Sequence, residues 1–359
     1  MLTYPAYQEN IIAQLRGELY DILTVAEVSV QRGHDQVIAF TGQLLQDAET
    51  AFALLRERFE RYGYTPFFRK QAGQDVILAA RGLVRPQPSN WLINLVLLVA
   101  TVFTTLFAGA VLAGANPLRD ARQMWAGVPF AFTLLGILGV HELGHYFMAR
   151  WHGVAVTLPY FIPMPFGLGT FGAFIRMKSP VANKKALFDV GLAGPLAGFS
   201  LAVPLLIMGL LLSPVRPLVG QGSTLGTSLL VEFLVNLVRP HPQGFAVYLH
   251  PIAFAAWFGL LITGFNLLPA GQLDGGHVAY ALLGRRTREV AVATLLGLVA
   301  MGALFWQGWL TWAFLILLTG IGHPAPLNDI TPLDPGRRTL GWLTFGLLFL
   351  LITPAPFRF

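Results

Sequence analysis

Ile137-Leu138-Gly139-Val140-His141-Glu142-Leu143-Gly144-His145-Tyr146-Phe147 lies inside residues 125–151, an apolar stretch whose only Asp, Glu, Lys or Arg residues are Glu142 and Arg150. A hydrocarbon core is crossed by roughly 20 apolar residues in a helix, so this stretch is long enough to span a bilayer. Six further runs read the same way, at 91–115, 188–213, 250–268, 288–306, 308–322 and 339–354, two of them short. The predicted fold is a polytopic α-helical membrane protein with about 6–8 transmembrane helices.

Outside these runs the chain changes character. It has 359 residues, 55% hydrophobic and 12% charged, against the roughly 25% charged that is usual in soluble domains. Residues 1–90 nevertheless carry 9 of the 24 basic and 10 of the 18 acidic side chains. The split predicts a small soluble α/β domain over residues 1–88 and a membrane-embedded domain over 89–359. Within the first, residues 5–22 have helical spacing through Ile11, Leu15 and Leu19. Residues 24–31 and 36–44 read as strands about Gly33-His34-Asp35, residues 46–62 as a second helix, and 65–68 and 75–80 as a hairpin about Ala72-Gly73. Arg85-Pro86-Gln87-Pro88 reads as the linker. With no phosphate loop and no ligand cluster, a regulatory or docking role is expected for this part.

The absence of cysteine excludes thiolate metal sites, disulfides and cysteine nucleophiles. The net charge of +6 comes without any basic run interleaved with aromatics, so no nucleic-acid partner is expected. Lys and Arg in short loops instead report orientation. Ten of them (Arg150, Arg176, Lys178, Lys184, Lys185, Arg285, Arg286, Arg288, Arg337 and Arg338) share one side with residues 1–88, against five opposite. That side reads as cytoplasmic. Residues 157–186 do not fit a simple helix: Gly and Pro are dense around Pro163–Gly167, and Thr170–Met177 is strand-like. Irregular backbone at membrane depth survives only against protein or a water-filled cavity, which predicts a re-entrant β-hairpin lining a site.

His141 and His145 are four residues apart and share one helical face, so both imidazoles can meet one zinc ion, with Glu142 near enough to take a proton from its water. Catalytic zinc takes three protein ligands. Met148 and Trp151 occupy the positions at which the longer soluble-protease motif would place its further Gly and His. A third ligand must come from elsewhere, and Asp274 in Asn266-Leu267-Leu268-Pro269-Ala270-Gly271-Gln272-Leu273-Asp274-Gly275-Gly276 is the candidate. Asp-Gly-Gly is also a common turn signal, and the spacing leaves both readings open.

These two motifs, with Phe171-Gly172-Ala173-Phe174 and Ala193-Gly194-Pro195-Leu196-Ala197-Gly198 between them, resemble the site-2 protease family of intramembrane zinc metalloproteases. The resemblance covers about residues 90–335. Phe161-Ile162-Pro163, Gly271–Gly276 and Leu327-Asn328-Asp329-Ile330 are most similar to the branch lacking a PDZ domain, known from chloroplast proteins named for ethylene-dependent gravitropism and a yellow-green phenotype. The resemblance implies one zinc ion per chain held by His141, His145 and Asp274, with Glu142 as catalytic base. It implies that Asn266 positions substrate or supports the tetrahedral intermediate, and that Phe171, Gly172, Ala173 and Phe174 offer a strand edge to substrate. The implied activity is hydrolysis of peptide bonds within or near transmembrane segments of membrane-protein substrates, as in regulated intramembrane proteolysis, with the lipid bilayer as surroundings.

The N-terminus has early acids (Glu9, Glu18, Asp21, Glu27) and no short apolar core, unlike a secretory signal or transit peptide. The expected location is therefore a prokaryotic plasma membrane, multi-pass, with the N-terminal domain cytoplasmic. A transporter or channel handling a metal or proton through intramembrane His, Glu and Asp is the alternative, and it predicts polar groups spread over several spans. Gly194 and Pro195 read as close packing with a kink, Asp189 as a helix cap, and His152 as an interfacial residue. His277 is near enough to Asp274 for an outer contact, while His34, His241, His250 and His323 read as loop or span-end residues without partners.

Overall fold

The computed structural model describes residues 4–31, 37–83, 88–218 and 224–358, so the expected turn at Gly33-His34-Asp35 and most of the Arg85–Pro88 linker lie outside the described residues. The chain forms two compact units. The first comprises Met1–Gln87 together with Lys178–Leu187 and Pro324–Pro335; the second comprises Pro88–Met177, Phe188–His323 and Gly336–Phe359.

In the first unit, α1 (Tyr4–Gly17), β1 (Leu23–Gln31), β2 (Val37–Leu44), α2 (Ala48–Glu60), β3 (Tyr64–Gln71) and β4 (Gln74–Arg81) follow the periodicities of the sequence. The strands form one antiparallel sheet in the order β1-β2-β4-β3. Leu15 and Leu19, Phe52, Leu55 and Phe59 of α2, and Phe40, Phe68 and Ile77 of the sheet build its core. Asp47 begins α2 by accepting from the Glu49 and Thr50 N–H groups, which satisfies two of the helix's orphan donors. Ala72 and Gly73, both at positive φ (48° and 84°), make the tight β3–β4 turn that such a two-residue hairpin requires. The outer edge of β3 is covered by its own unit. Phe68 donates to the Leu327 carbonyl at 2.9 Å and accepts from Asp329 N–H at 3.1 Å, while the Leu327 side chain enters the core. Lys184 pairs with Asp329 at 3.2 Å.

The second unit contains α3 (Trp91–Leu112), α4 (Val128–Trp151), the hairpin β5 (Tyr160–Pro163) and β6 (Thr170–Phe174), and α5, which runs from Lys184 to Leu212. Two short strands follow, β7 (Val215–Pro217) and β8 (Thr224–Leu225), then α6 (Leu229–Val238) and β9 (Phe245–Val247). The chain continues through α7 (Pro251–Asn266), α8 (Asp274–Leu283), α9 (Thr287–Leu304), α10 (Gly308–Thr319), α11 (Pro335–Leu351) and β10 (Phe357–Arg358).

Among the described residues, four helical stretches are long and apolar enough to cross a membrane: Trp91–Leu112, Ala121–Trp151, Lys184–Leu212 and Asp274–Leu304. Of the seven expected spans, α10 with 12 residues and α11 with 17 are short, as their runs were, and α7 with 16 is shorter than expected. At 1.5 Å per residue, α7 reaches only about 24 Å. It stops because the chain turns at Leu267–Leu273, where Pro269 cannot continue the hydrogen-bond ladder and Gly271 takes a left-handed φ of 57°. Asp189 is not a cap. Helix α5 already begins at Lys184, with the Asn183 side chain accepting from Ala186 N–H, which leaves Asp189 inside the helix.

The β5–β6 hairpin lies along α3 and is bonded to it at two places. Asn94 donates to the Leu158 and Pro159 carbonyls at 2.8 and 3.1 Å, and Thr104 donates to the Gly169 carbonyl at 2.6 Å.

Candidate metal centre

Helix α4 places His141 and His145 one turn apart on a buried face. Asp274 comes from the opposite direction as the first residue of α8. Glycines permit that approach: a Cβ on Gly275 would collide with the Leu267 carbonyl, and one on Gly276 would stand 2.5 Å from the Gly271 oxygen. The first turn of α8 therefore nests in the turn that ends α7. An acidic residue here also meets the positive end of the helix dipole.

The Asp274 Oδ2 lies 3.3 Å from the Nε2 of both histidines, and the two Nε2 atoms are 3.1 Å apart. One ligand atom from each of the three residues falls within 4.8 Å of the others. His145 Nδ1 lies 2.7 Å from the Val190 carbonyl oxygen, so that nitrogen carries the proton and the Nε2 lone pair faces the cluster. Buried lone pairs converging at this distance repel one another unless a cation sits among them. Two imidazole nitrogens and one carboxylate oxygen are a donor set that catalytic zinc takes, so the residues fit the ion expected from the sequence.

The cluster opens on a cavity of about 450 Å³ whose lining includes Glu142, Asn266, Gln272 and Arg176. Glu142 is buried, with the Ile175 backbone just beyond β6 beside its carboxylate. The Asn266 amide nitrogen is 3.4 Å from His141 Nε2. Of the four hairpin residues expected at a substrate edge, Ala173 and Phe174 line the cavity, whereas Phe171 is exposed outside it and Gly172 sits at a positive φ of 107°. Phe174 stacks on Tyr160 with ring centroids 5.4 Å apart.

Helix α5 closes the other side. Gly194 lies against the His145 ring with no room for a Cβ, and a Cβ on Gly198 would be 3.2 Å from His141 Nδ1. This is close packing, as expected of the Gly-Pro-Leu-Ala-Gly stretch. Four histidines expected to be bland have partners. His152 Nε2 is 2.8 Å from Asp189 Oδ2, and His323 Nε2 is 2.7 Å from Nδ1 of the cavity-lining His277. His250 caps α7 by accepting from Ile252 N–H, and His241 contacts the Arg239 carbonyl. Sequence reasoning missed Val190, because a backbone carbonyl leaves no mark in the residue pattern.

Residues 129–305 match the model of peptidase family M50. The probable zinc metalloprotease EGY2, chloroplastic, of Arabidopsis thaliana is 32% identical over 363 residues, covering 96% of this chain and 65% of that protein. EGY1 of the same plant, also named a probable chloroplastic zinc metalloprotease, is 34% identical over 64% of this chain and 43% of its own length. EGY3, named a probable chloroplastic zinc metallopeptidase, is 29% identical over 63% of this chain. The chain thus spans 65% or less of the length of these relatives. No solved structure matches. Relatives named as chloroplastic plant proteins overturn the expectation of a prokaryotic plasma-membrane location with a cytoplasmic N-terminal domain. The segment that carries both histidines, Glu142 and Asp274 thus matches peptidase family M50, and this chain is related to the EGY zinc metalloproteases.

Proposed function

We propose that this chain is an intramembrane zinc metalloprotease of the PDZ-less kind, hydrolysing peptide bonds within or near transmembrane segments of membrane-protein substrates. The observation that carries the reading is the convergence of His141, His145 and Asp274 within 4.8 Å, beside the buried Glu142 and on one cavity. His141, His145 and Asp274 would hold a single zinc ion. Bound there, zinc supplies Lewis acidity, bringing the pKa of water toward about 7 and polarising a carbonyl. Glu142 takes the proton from the attacking water and returns it to the leaving amine. Asn266 donates a hydrogen bond to the oxyanion that develops on the scissile carbonyl, a role supported by its amide lying 3.4 Å from His141 Nε2.

A helical substrate hides its peptide groups in internal hydrogen bonds, so it must unwind before attack. The outer edge of β6 suits the extended segment. Arg176 accepts from Thr157 N–H on the side facing the partner strand. By alternation, Ala173 and Ile175 turn their peptide groups the other way, the direction in which Ile175 meets Glu142. Strand addition there would hold a substrate extended over the cavity. The two straps on α3 support a re-entrant reading of this hairpin, because Asn94 and Thr104 are ten residues apart, about 15 Å along a helix axis. Polar groups that gather on one cavity, rather than along a path, favour this reading over a transporter.

The test compares purified full-length protein with its Glu142→Gln variant on single-span membrane substrates, with zinc measured in parallel. The variant keeps its zinc and loses cleavage. Cleavage that persists in the variant removes Glu142 as the base, and wild type that binds no zinc removes the reading altogether.

A further inference from the structure

The imidazole of His145 is oriented by the Val190 carbonyl, and the residue before Val190 is Asp189. Its carboxylate is gripped from two sides. Arg337 donates from Nε to Oδ1 at 2.7 Å and from a terminal nitrogen to Oδ2 at 2.6 Å, a fork-to-fork pair. His152, the residue that closes α4, reaches Oδ2 at 2.8 Å. Asp189 is about 15% exposed and Arg337 about 33%, so the pair is largely withdrawn from solvent and escapes most of the screening that weakens surface ion pairs. One turn further along α11, Gly341 fills a niche between two other helices. A Cβ there would stand 2.7 Å from Leu282 of α8 and 3.0 Å from Phe188 of α5.

Helix α11 thus touches two of the helices that bring groups to the metal centre from outside α4: α5, which carries Val190, and α8, which begins with Asp274. His152 ties the same point to α4, two turns beyond His145. Arg337 lies outside the family-matched residues 129–305, and its partner is 148 residues away in sequence.

We infer that Arg337 is a positioning residue of the metal centre, which fixes the register of α5 against α4 through Asp189 and so holds the Val190 carbonyl on His145 Nδ1. The inference rests on the proposed zinc protease reading. Breaking the fork lets α5 slide or rotate at its Asp189 end, and the ring that Val190 orients loses its fixed tautomer and direction. Groups that orient a metal ligand typically govern metal affinity by 10–100-fold. Arg337 acts one step further out, so a loss of about 10-fold is expected.

The experiment measures zinc affinity of the full chain by competition with a chelator, together with kcat and KM on a membrane substrate. It uses wild type, Arg337→Gln, Arg337→Lys, Asp189→Asn and, as a neighbouring control, Arg338→Gln. Arg337→Gln and Asp189→Asn are expected to weaken zinc binding about 10-fold and to lower kcat at unchanged KM, alongside a lower thermal unfolding temperature of the zinc-free protein, since each leaves one partner of a largely buried pair without the other. Arg337→Lys, which keeps the charge but loses the fork, falls between. The double variant Arg337→Gln/Asp189→Asn should be no worse than the weaker single, because both break one link. Zinc affinity at the wild-type level in both Arg337 variants overturns the inference while leaving the protease reading intact. So does an equal loss in Arg338→Gln, or a double variant whose losses multiply. Wild type without zinc overturns the reading and the inference together.

Discussion

Gly194 stands directly against the imidazole of His145, with no space between them for a Cβ. The contact explains a glycine in the middle of a transmembrane helix, where it costs about 1 kcal/mol relative to alanine by propensity alone. Gly194→Ala should therefore gain propensity and lose function. The methyl group must push the ring away from Asp274, and a misplacement near 1 Å costs about 100-fold in rate. Cleavage assays and zinc content measured on the purified variant check this, and a fully active, zinc-loaded Gly194→Ala protein would contradict the packing described.

Asp274→Asn separates charge from shape. The amide fits the same niche at the start of α8 but brings a weaker, neutral oxygen to the two histidines. Zinc affinity should fall by at least the 10–100-fold that even outer partners command, and Asp274→Ala should fall further. Metal analysis after dialysis against a chelator is the measurement. Unchanged zinc in both variants would remove Asp274 from the ligand set.

The straps from α3 predict a binding defect rather than a chemical one. Asn94→Leu removes both bonds to the 158–159 carbonyls, each contributing about 0.5–1.5 kcal/mol. The hairpin should loosen. KM for a single-span substrate is expected to rise roughly 5- to 20-fold with little change in kcat, and Thr104→Val should do the same more weakly. A short unstructured peptide that needs no strand edge should be cleaved at the wild-type rate.

Arg58 holds the Asp21 carboxyl below the usual carboxylate range through its side-chain hydrogen bonds. A carboxyl whose folded pKa is depressed adds stability above its unfolded pKa of about 3.9. That stability is lost as pH falls through the lower folded value. Arg58→Ala should thus destabilise the N-terminal unit at pH 6, and part of the difference from wild type should vanish as pH drops below about 4. The remainder reflects the Arg58 bond to the Glu18 carbonyl, which does not titrate. Hydrogen exchange of α2 across this pH range reads both parts, and NMR titration of Asp21 in the variant should return toward the ordinary value.

What could be read from sequence was what is local. Leu15 and Leu19, or Phe52, Leu55 and Phe59, repeat at helical spacing and meet one core, and the β3–β4 turn stands at Ala72-Gly73 as expected. His141 and His145 announce themselves because a helix brings residues four apart together. Asp274 was visible as a motif, but its approach depends on Gly275 and Gly276 folding back on the turn after α7, a contact that spacing alone does not reveal. Asp189 was misplaced because Asn183, six residues earlier, caps α5. Its fork with Arg337 bridges 148 residues, and no periodicity spans such a distance. The span expected over 250–268 ends early at α7 because an apolar run records composition, while the Leu267–Leu273 turn that interrupts it follows from Pro269 and Gly271.

The covered edge of β3 bears on how the protein is made. Phe68 receives its hydrogen-bonding partners from Leu327 and Asp329, which leave the ribosome some 260 residues after it. Until then the N-terminal sheet has an open strand edge and a core without Leu327. Its completion is thus a late step of biosynthesis, and a sheet translated well before residues 327–329 waits for them to be finished.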